Sequence, residues 1–241
     1  MVEEALQAVL ASAGVGYYHV EDGLRPDTDI VCVIGGDGTL FTYAHFALDK
    51  DVPIWFINAG SVGFLAESSV DLPERVGRLK AGDYTCLTRD LLAVEVGERT
   101  YTALNDVCLM RDTQHLQTVT LEVSCADETV AAYRGDGALV CTAMGSTGYA
   151  LSAGAPIMSP NAKGMLFAPI CAHSLLAKPV LFGAEDKVYL RCTESAVLFV
   201  DGVNCGTVEG IPVEVTVSAR TVKFVCTERR AFFAKIGSKL L

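Results

Sequence analysis

The feature that most constrains this chain is the almost wholly apolar run Asp29-Ile-Val-Cys-Val-Ile34, which stops at Gly35-Gly36-Asp37-Gly38-Thr39. A short apolar run without alternation suits a strand covered on both faces, as in a parallel sheet. The glycines end the strand, and Thr39 to Leu48 reads as a helix. The pattern then repeats. Pro53-Ile-Trp-Phe-Ile57 is a second such strand, ended by Asn58-Ala-Gly60, and Leu72 to Lys80 is a further helix. Ahead of both, Val2 to Ala13 places Leu6, Val9, Leu10 and Ala13 on one helical face, with Gly14 as a stop. Strands alternating with helices predict an α/β domain with a parallel, Rossmann-like sheet over residues 1–83.

From Tyr84 the texture changes. Leu91–Val96, Tyr101–Leu104, Val119–Val123, Val130–Arg134, Lys187–Cys192, Val197–Val200, Val213–Val217 and Val222–Val225 are short runs separated by Gly, Asp and Asn. They predict a mostly antiparallel β domain over 84–228, with two-residue turns such as Asp201-Gly202. A helical insertion is expected near Thr147–Ser152. The tail, 229–241, returns to helical character and is expected to pack back on the first domain. With no low-complexity linker, the domains should abut and leave a crevice between them.

Composition removes several classes of function. Of 241 residues, 51% are hydrophobic and 20% charged, far from the disordered regime. No stretch approaches the roughly 20 apolar residues that span a bilayer, and Met1-Val2-Glu3-Glu4 has no basic or apolar signal-peptide region. A net charge of −10 without a Lys/Arg stripe argues against nucleic acid. An anionic small molecule remains open, provided the positive field is local: loop N–H groups, a helix start or a cation. The nine cysteines are dispersed, with no C-x-x-C pair and no histidine pair to complete a zinc set. A cytoplasmic protein with no protein-held metal is expected.

Four segments carry possible chemistry. Gly36, Asp37, Gly38 and Thr39 lie between a buried strand and a helix, where open α/β sheets bind ligands. Glycine lets a phosphate approach the backbone, and the helix start offers unpaired N–H donors. The loop is neither a Walker A sequence nor a complete G-x-G-x-x-G, because Phe41 stands at the last glycine position. Asn58, Gly60, Gly63 and Phe64 repeat the arrangement at the next strand end. Asn105-Asp106 pairs an amide with a carboxylate, which suits a vicinal diol, although spacing alone favours a plain polar turn. Arg134-Gly-Asp136-Gly leads through a strand to a hydroxyl-rich stretch from Thr142 to Pro156, which contains Gly145-Ser146-Thr147-Gly148-Tyr149-Ala150-Leu151-Ser152. So long a small-residue segment is costly to order without a ligand to serve.

In this order, the segments resemble the NAD kinase family. The likeness extends through Ala168-Pro-Ile-Cys-Ala-His-Ser-Leu175 and Phe232-Phe-Ala-Lys-Ile-Gly-Ser-Lys-Leu240, nearly the whole chain. The first loop is shared with lipid kinases and 6-phosphofructokinases. The Asn-Asp pair with the Gly-Asp-Gly…Gly-Ser-Thr block is far more specific. The resemblance implies transfer of the terminal phosphoryl group of ATP to the adenosine-ribose 2′-hydroxyl of NAD, giving NADP. It implies that Asp37 takes the hydroxyl proton and that Gly38 and its neighbours hold phosphates. Asn105 and Asp106 would bind the NAD ribose region, and Thr147 to Ser152 would line an adenine pocket. Arg134 and Asp136 would reach NAD from a neighbouring subunit of a homo-oligomer, a dimer or tetramer. Mg²⁺ or another divalent cation would accompany ATP. The chain departs from the pattern in entering its first helix almost directly from Met1, where the family opens with a strand, so the sheet is expected either to lack an edge strand or to fill that place with another segment. Gly148 stands where Ala is frequent, and Asp106 where Glu is common. Two other readings remain at this stage: a lipid kinase sharing the Gly-Gly-Asp-Gly-Thr loop, and a non-catalytic module binding NAD or adenine nucleotides.

Overall fold

The computed structural model describes residues 2–20, 23–60, 65–112, 117–228, 232–233 and 236–237. The chain divides into two units: residues 1–88 with 222–241, and residues 89–221. Sequence texture alone divides it at 1–83, 84–228 and a tail from 229. The return to the first unit is made inside a strand, which no local pattern marks.

In the first unit, α1 (Val2–Ser12) is followed by β1 (Val31–Gly35), α2 (Asp37–Lys50), β2 (Ile54–Asn58) and α3 (Leu72–Ala81). Strands β1 and β2 run parallel in full register, Val31 opposite Ile54 through Gly35 opposite Asn58. Trp55 and Ile57 pack with Leu6 of α1 and with Leu72 and Val76 of α3. Helix α2 buries Leu40, Ala44 and Ala47 and lies against β1 and β2. It closes on Asp51, in the left-handed region at φ 52°, whose neighbour Lys50 is the cation of the last turn. Strand β1 ends its sheet, so its outer edge has no strand beside it among the described residues.

A buried carboxylate locks this unit. Glu67, 1% exposed, accepts from Trp55 Nε1 (2.8 Å), Thr227 N (2.8 Å) and Thr227 Oγ1 (2.8 Å). Arg75 stands 3.5 Å away and also bonds Thr227 Oγ1 and Glu228. The chain is thus held to the first unit where it returns at its end.

The second unit carries most of the β-structure, entered at residue 89 within β3 (Thr85–Val96) and continuing with β4 (Arg99–Ala103), β5 (Asp106–Arg111), β6 (Val119–Cys125), β7 (Glu128–Gly135) and β8 (Gly137–Cys141). A 3-10 turn (Gly145–Thr147) and the short helix α4 (Tyr149–Ser152) follow. Then come β9 (Met165–Ile170), β10 (Val180–Phe182), β11 (Lys187–Cys192), β12 (Ala196–Val200), β13 (Val203–Val208) and β14 (Val213–Cys226). The two expected strands Val213–Val217 and Val222–Val225 are one. Its first half pairs antiparallel with β11, and its Phe224 pairs parallel with Ile54 of β2. One antiparallel sheet runs β14-β11-β6-β7 and the other β10-β9-β8-β5-β12-β13. Alternation builds the core: Val119, Leu121 and Val123 point inward from β6, as do Val188 and Leu190 from β11 and Ala196 and Leu198 from β12. Strands β8 and β9 are buried on both faces. Ala138, Val140, Met165 and Phe167 join this core, while Leu139, Cys141, Leu166 and Ala168 pack beneath Ala143, Ala150, Ala155 and Met158. The hydroxyl-rich segment is therefore a lid on the second sheet, anchored by its own small apolar side chains.

The predicted helical tail falls mostly on 229–231, 234–235 and 238–241, outside the described residues, as do Gly63 and Phe64.

Candidate functional site

In the first unit, the Gly35–Thr39 and Asn58–Gly60 loops leave adjacent parallel strand ends. Gly35 is opposite Asn58, and Ala59 N approaches Gly35 O at 3.4 Å. Helix α2 begins at Asp37 with Gly36 as N-cap, and no side chain caps it. Asp37 is half-buried, with Oδ1 withdrawn from the surface. The three glycines of the first loop do two different jobs. A Cβ on Gly35 would lie 2.4 Å from Thr39 Oγ1, so Gly35 is required by the strand-to-helix turn itself. Gly36 and Gly38 have no atom within 4 Å of the Cβ position and no left-handed φ. Nothing in the fold of this unit demands glycine there. Their surfaces are open backbone at a helix start, suited to an anion. Thr39 is half-buried against Gly35. Asn58, 5% exposed, donates to Gly60 O (2.7 Å) and accepts from Gly60 N (3.3 Å), which fixes the second loop.

In the second unit, Asn105 and Asp106 stand at the start of β5, 8% and 6% exposed. Asn105 Nδ2 donates to Asp106 Oδ2 at 2.8 Å, so amide and carboxylate form one unit. The segment around them is tightly built. Thr142 Oγ1 donates to Leu104 O (2.9 Å) and accepts from Gly145 N (3.0 Å), and Thr142 N donates to Asn105 O (3.0 Å). A Cβ on Gly145 would lie 2.1 Å from Asn105 O, and one on Gly148 2.9 Å from Asn105 Nδ2. These glycines let the lid segment press directly on Asn105. Burial first, and then the Asp201 carboxylate, push Asp106 up to about 6, against bonds from Cys108 and Asn105 that pull it down.

The rest of the lid divides by exposure. Ser146 is fully buried, donating to Ala143 O (2.7 Å) and accepting from Met158 N (2.9 Å). Its hydroxyl holds the turn together. Ala150 is buried in the core beneath, Thr147 and Leu151 are half-buried, and Gly148, Tyr149 and Ser152 are exposed. Asp136 accepts from Arg111 Nε at 2.8 Å, and its main chain bonds Arg111 N and Ile170 O. Arg134 is exposed and donates to Thr118 O at 3.0 Å. Lid, Asn105-Asp106 and Asp136 thus cluster on β5, β8 and their connections.

Sequence reasoning missed Arg111 and Asp201 as parts of this arrangement, and took Thr142 only as the start of the hydroxyl-rich stretch. Asp201-Gly202 was legible only as a turn, and the turn is present: φ is 49° at Asp201 and 78° at Gly202, with Val200 opposite Val203. An Asp where Asn-Gly serves as well was the available signal.

Two family models match the chain: the ATP-NAD kinase N-terminal domain over residues 17–79 and the ATP-NAD kinase C-terminal domain over residues 104–227. A curated NAD kinase of Geobacter sp. (strain M21) is 32% identical over 250 residues, covering 99% of this chain and 86% of that protein. One from Heliobacterium modesticaldum is 38% identical over 192 residues, 76% of this chain and 67% of that protein. Among solved structures, an NAD kinase from Archaeoglobus fulgidus in complex with ATP superposes with a TM-score of 0.82 at 23% identity, over 98% of this chain and 93% of that one. Yeast NADH kinase complexed with NADH gives 0.79 at 24% identity, over 88% and 66%. At these identities the structures speak for the fold, an α/β unit with a parallel sheet and a β-rich unit. Fold, motif loops and matches across both domains agree: the chain belongs to the NAD kinase family.

Proposed function

We propose that the chain transfers the terminal phosphoryl group of ATP to the adenosine-ribose 2′-hydroxyl of NAD, giving NADP. The observation that carries this reading is the Asn105-Asp106 pair, nearly buried yet held rigidly at a strand start beneath a hydroxyl-bearing lid. That is a receptor for a sugar diol, which a lipid kinase does not need. The family's relatives are NAD kinases, and the two structural neighbours carry ATP and NADH.

The reaction breaks the bond between the γ-phosphorus and its bridging oxygen, releasing ADP, and forms a bond to the ribose 2′-oxygen. Asp37 takes the proton. The transition state is largely dissociative, so a modest base suffices once oriented. Gly36 and Gly38 offer backbone N–H groups to phosphate and Thr39, whose own N–H donates to Gly36 O (3.0 Å), offers its hydroxyl, with Asn58 and Gly60 on the neighbouring loop. Asn105 and Asp106 hold the ribose region of NAD. The segment Gly145, Ser146, Thr147, Gly148, Tyr149, Ala150, Leu151 and Ser152 lines the adenine pocket, with Ser146 and Ala150 acting as its frame. Mg²⁺ or another divalent cation, brought with ATP, would supply charge neutralisation. That cation would be carried by ATP; among the described residues no group of three or more His, Cys, Asp or Glu side chains is arranged to hold a metal ion. Arg134 and Asp136 serve NAD across a subunit boundary, in a cytoplasmic homo-oligomer, dimer or tetramer. Among the described residues no helix is long and apolar enough to cross a membrane.

Pure protein with NAD, ATP and Mg²⁺ should produce NADP, read by an NADP-specific dehydrogenase. Asp37→Asn should lower kcat at least about 100-fold while leaving the Kd for NAD within about threefold. NADP formation by Asp37→Asn at the wild-type rate would remove Asp37 from the chemistry. Binding of NAD without turnover in the wild type would leave a binding module only.

A further inference from the structure

The turn between β12 and β13 holds a carboxylate that the reaction scheme does not use. Asp201 Oδ2 accepts from Leu104 N at 2.7 Å, and Oδ1 accepts from Asn105 N at 2.7 Å and Asp106 N at 3.1 Å. In return, Asp201 N donates to Asp106 O at 2.9 Å. Three successive N–H groups thus converge on one side chain, a backbone nest closed by an anion from another hairpin.

A two-residue hairpin turn does not ask for this. Both turn residues need positive φ, and Asn-Gly meets that need as readily as Asp-Gly. An asparagine would offer one acceptor oxygen where the carboxylate offers two. The aspartate is also costly, since burial and the nearby Asp106 put two carboxylates together, and burial pushes Asp201 itself upward. Its return is position: Leu104, Asn105 and Asp106 are fixed together at the main chain. Asn105 is then pinned from the other side by Thr142 N on its carbonyl oxygen and by the bare backbones of Gly145 and Gly148.

We propose that Asp201 is a positioning residue for the dinucleotide, its carboxylate clamping the backbone of Leu104, Asn105 and Asp106 so that the amide and carboxylate of this pair meet the NAD ribose in one fixed geometry. This rests on the reading of Asn105 and Asp106 as NAD contacts. A clamp of this kind acts through the pair and touches no reacting atom.

The test compares Asp201→Asn, Asp201→Glu and Asn105→Ala by calorimetric NAD binding, by KM for NAD and ATP, and by thermal melting. Asp201→Asn turns one acceptor into a donor facing Leu104 N–H. Losing one charge-assisted bond corresponds to about a tenfold or larger change. The Kd and KM for NAD should rise about tenfold or more, while KM for ATP moves less than about threefold. Asp201→Glu, which keeps the charge but displaces it, should fall between wild type and Asp201→Asn. If Asn105→Ala leaves NAD binding unchanged, the ribose reading itself fails. If Asn105→Ala weakens NAD binding but a folded Asp201→Asn does not, the clamp fails alone. Equal losses for NAD and ATP, or a chain that folds with neither Asp201 substitution, also overturn it, because Asp201 then serves the fold rather than the site.

Discussion

Gly38→Ala separates the needs of the fold from those of the ligand. Gly38 is the second residue of α2, with helical backbone and no atom within 4 Å of a new Cβ. Alanine is the better helix former by up to about 1 kcal/mol. For a chain of this size that corresponds to a melting temperature raised by up to about 2–4 °C. The same methyl group occupies the open face on which a phosphate would meet the backbone N–H groups. Losing one charge-assisted hydrogen bond costs about 1.5–3 kcal/mol, which is about 10- to 100-fold in kcat/KM for ATP. Gly38→Ala should therefore melt no lower than the wild type yet lose most of its activity. Gly145→Ala is the opposite case. Its Cβ would lie 2.1 Å from Asn105 O, an oxygen that also accepts from Thr142 N, so backbone must move. Overpacking of this kind costs about 1–3 kcal/mol, and the melting temperature should fall with activity. Scanning calorimetry and steady-state kinetics on the two variants decide the matter. A Gly38→Ala enzyme with wild-type kcat/KM for ATP would refute the phosphate role of this loop, and a lower melting temperature would refute the claim that the fold leaves the position free.

Asp106 should give the enzyme an acid limb near pH 6, because an ionised carboxylate is the better acceptor for ribose hydroxyls and Asp106 is pushed up to about 6. Its folded value lies above 3.8, so this group's contribution to stability is complete below about pH 3.8 and is lost as pH rises through 6, a swing of up to about 3 kcal/mol. Asp106→Asn should flatten the limb in kcat/KM for NAD and gain stability over the wild type at pH 8 more than at pH 5, read by denaturant titration at the two pH values. Glu67→Gln should destabilise the first unit by about 2–4 kcal/mol, because one of its acceptor oxygens becomes a donor among Trp55, Thr227 and Glu228. Its thermal melt checks this, and a change below about 1 kcal/mol would mean that the network adjusts.

Local order made much of this protein legible in its sequence. Unbroken apolar runs ended by glycine announced β1 and β2, but only β2 is covered on both faces; β1, at the sheet edge, leaves Cys32 exposed, which its apolar sequence does not reveal. Short runs separated by Gly, Asp and Asn announced β6, β11 and β12, and Asp201-Gly202 announced its hairpin, since only a few residues accept two successive positive φ values. The loops of the candidate site were visible for the same reason: Gly-Gly-Asp-Gly-Thr and Gly-Ser-Thr-Gly are backbone requirements written in small residues. Other features depend on partners far away in the chain. That Val213–Cys226 is one strand shared between units follows from β11 and β2, not from its own residues. That Gly145 is bare for Asn105 while Gly38 is bare toward open space is invisible in the letter G. Ser146 reads as a ligand group until Met158 N and Ala143 O are found on its hydroxyl. Asp201 reads as a turn until three amides nearly a hundred residues earlier are found to converge on it. Propensity and periodicity are properties of neighbours along the chain, whereas burial, charge pairing and close backbone approach arise only when distant segments meet.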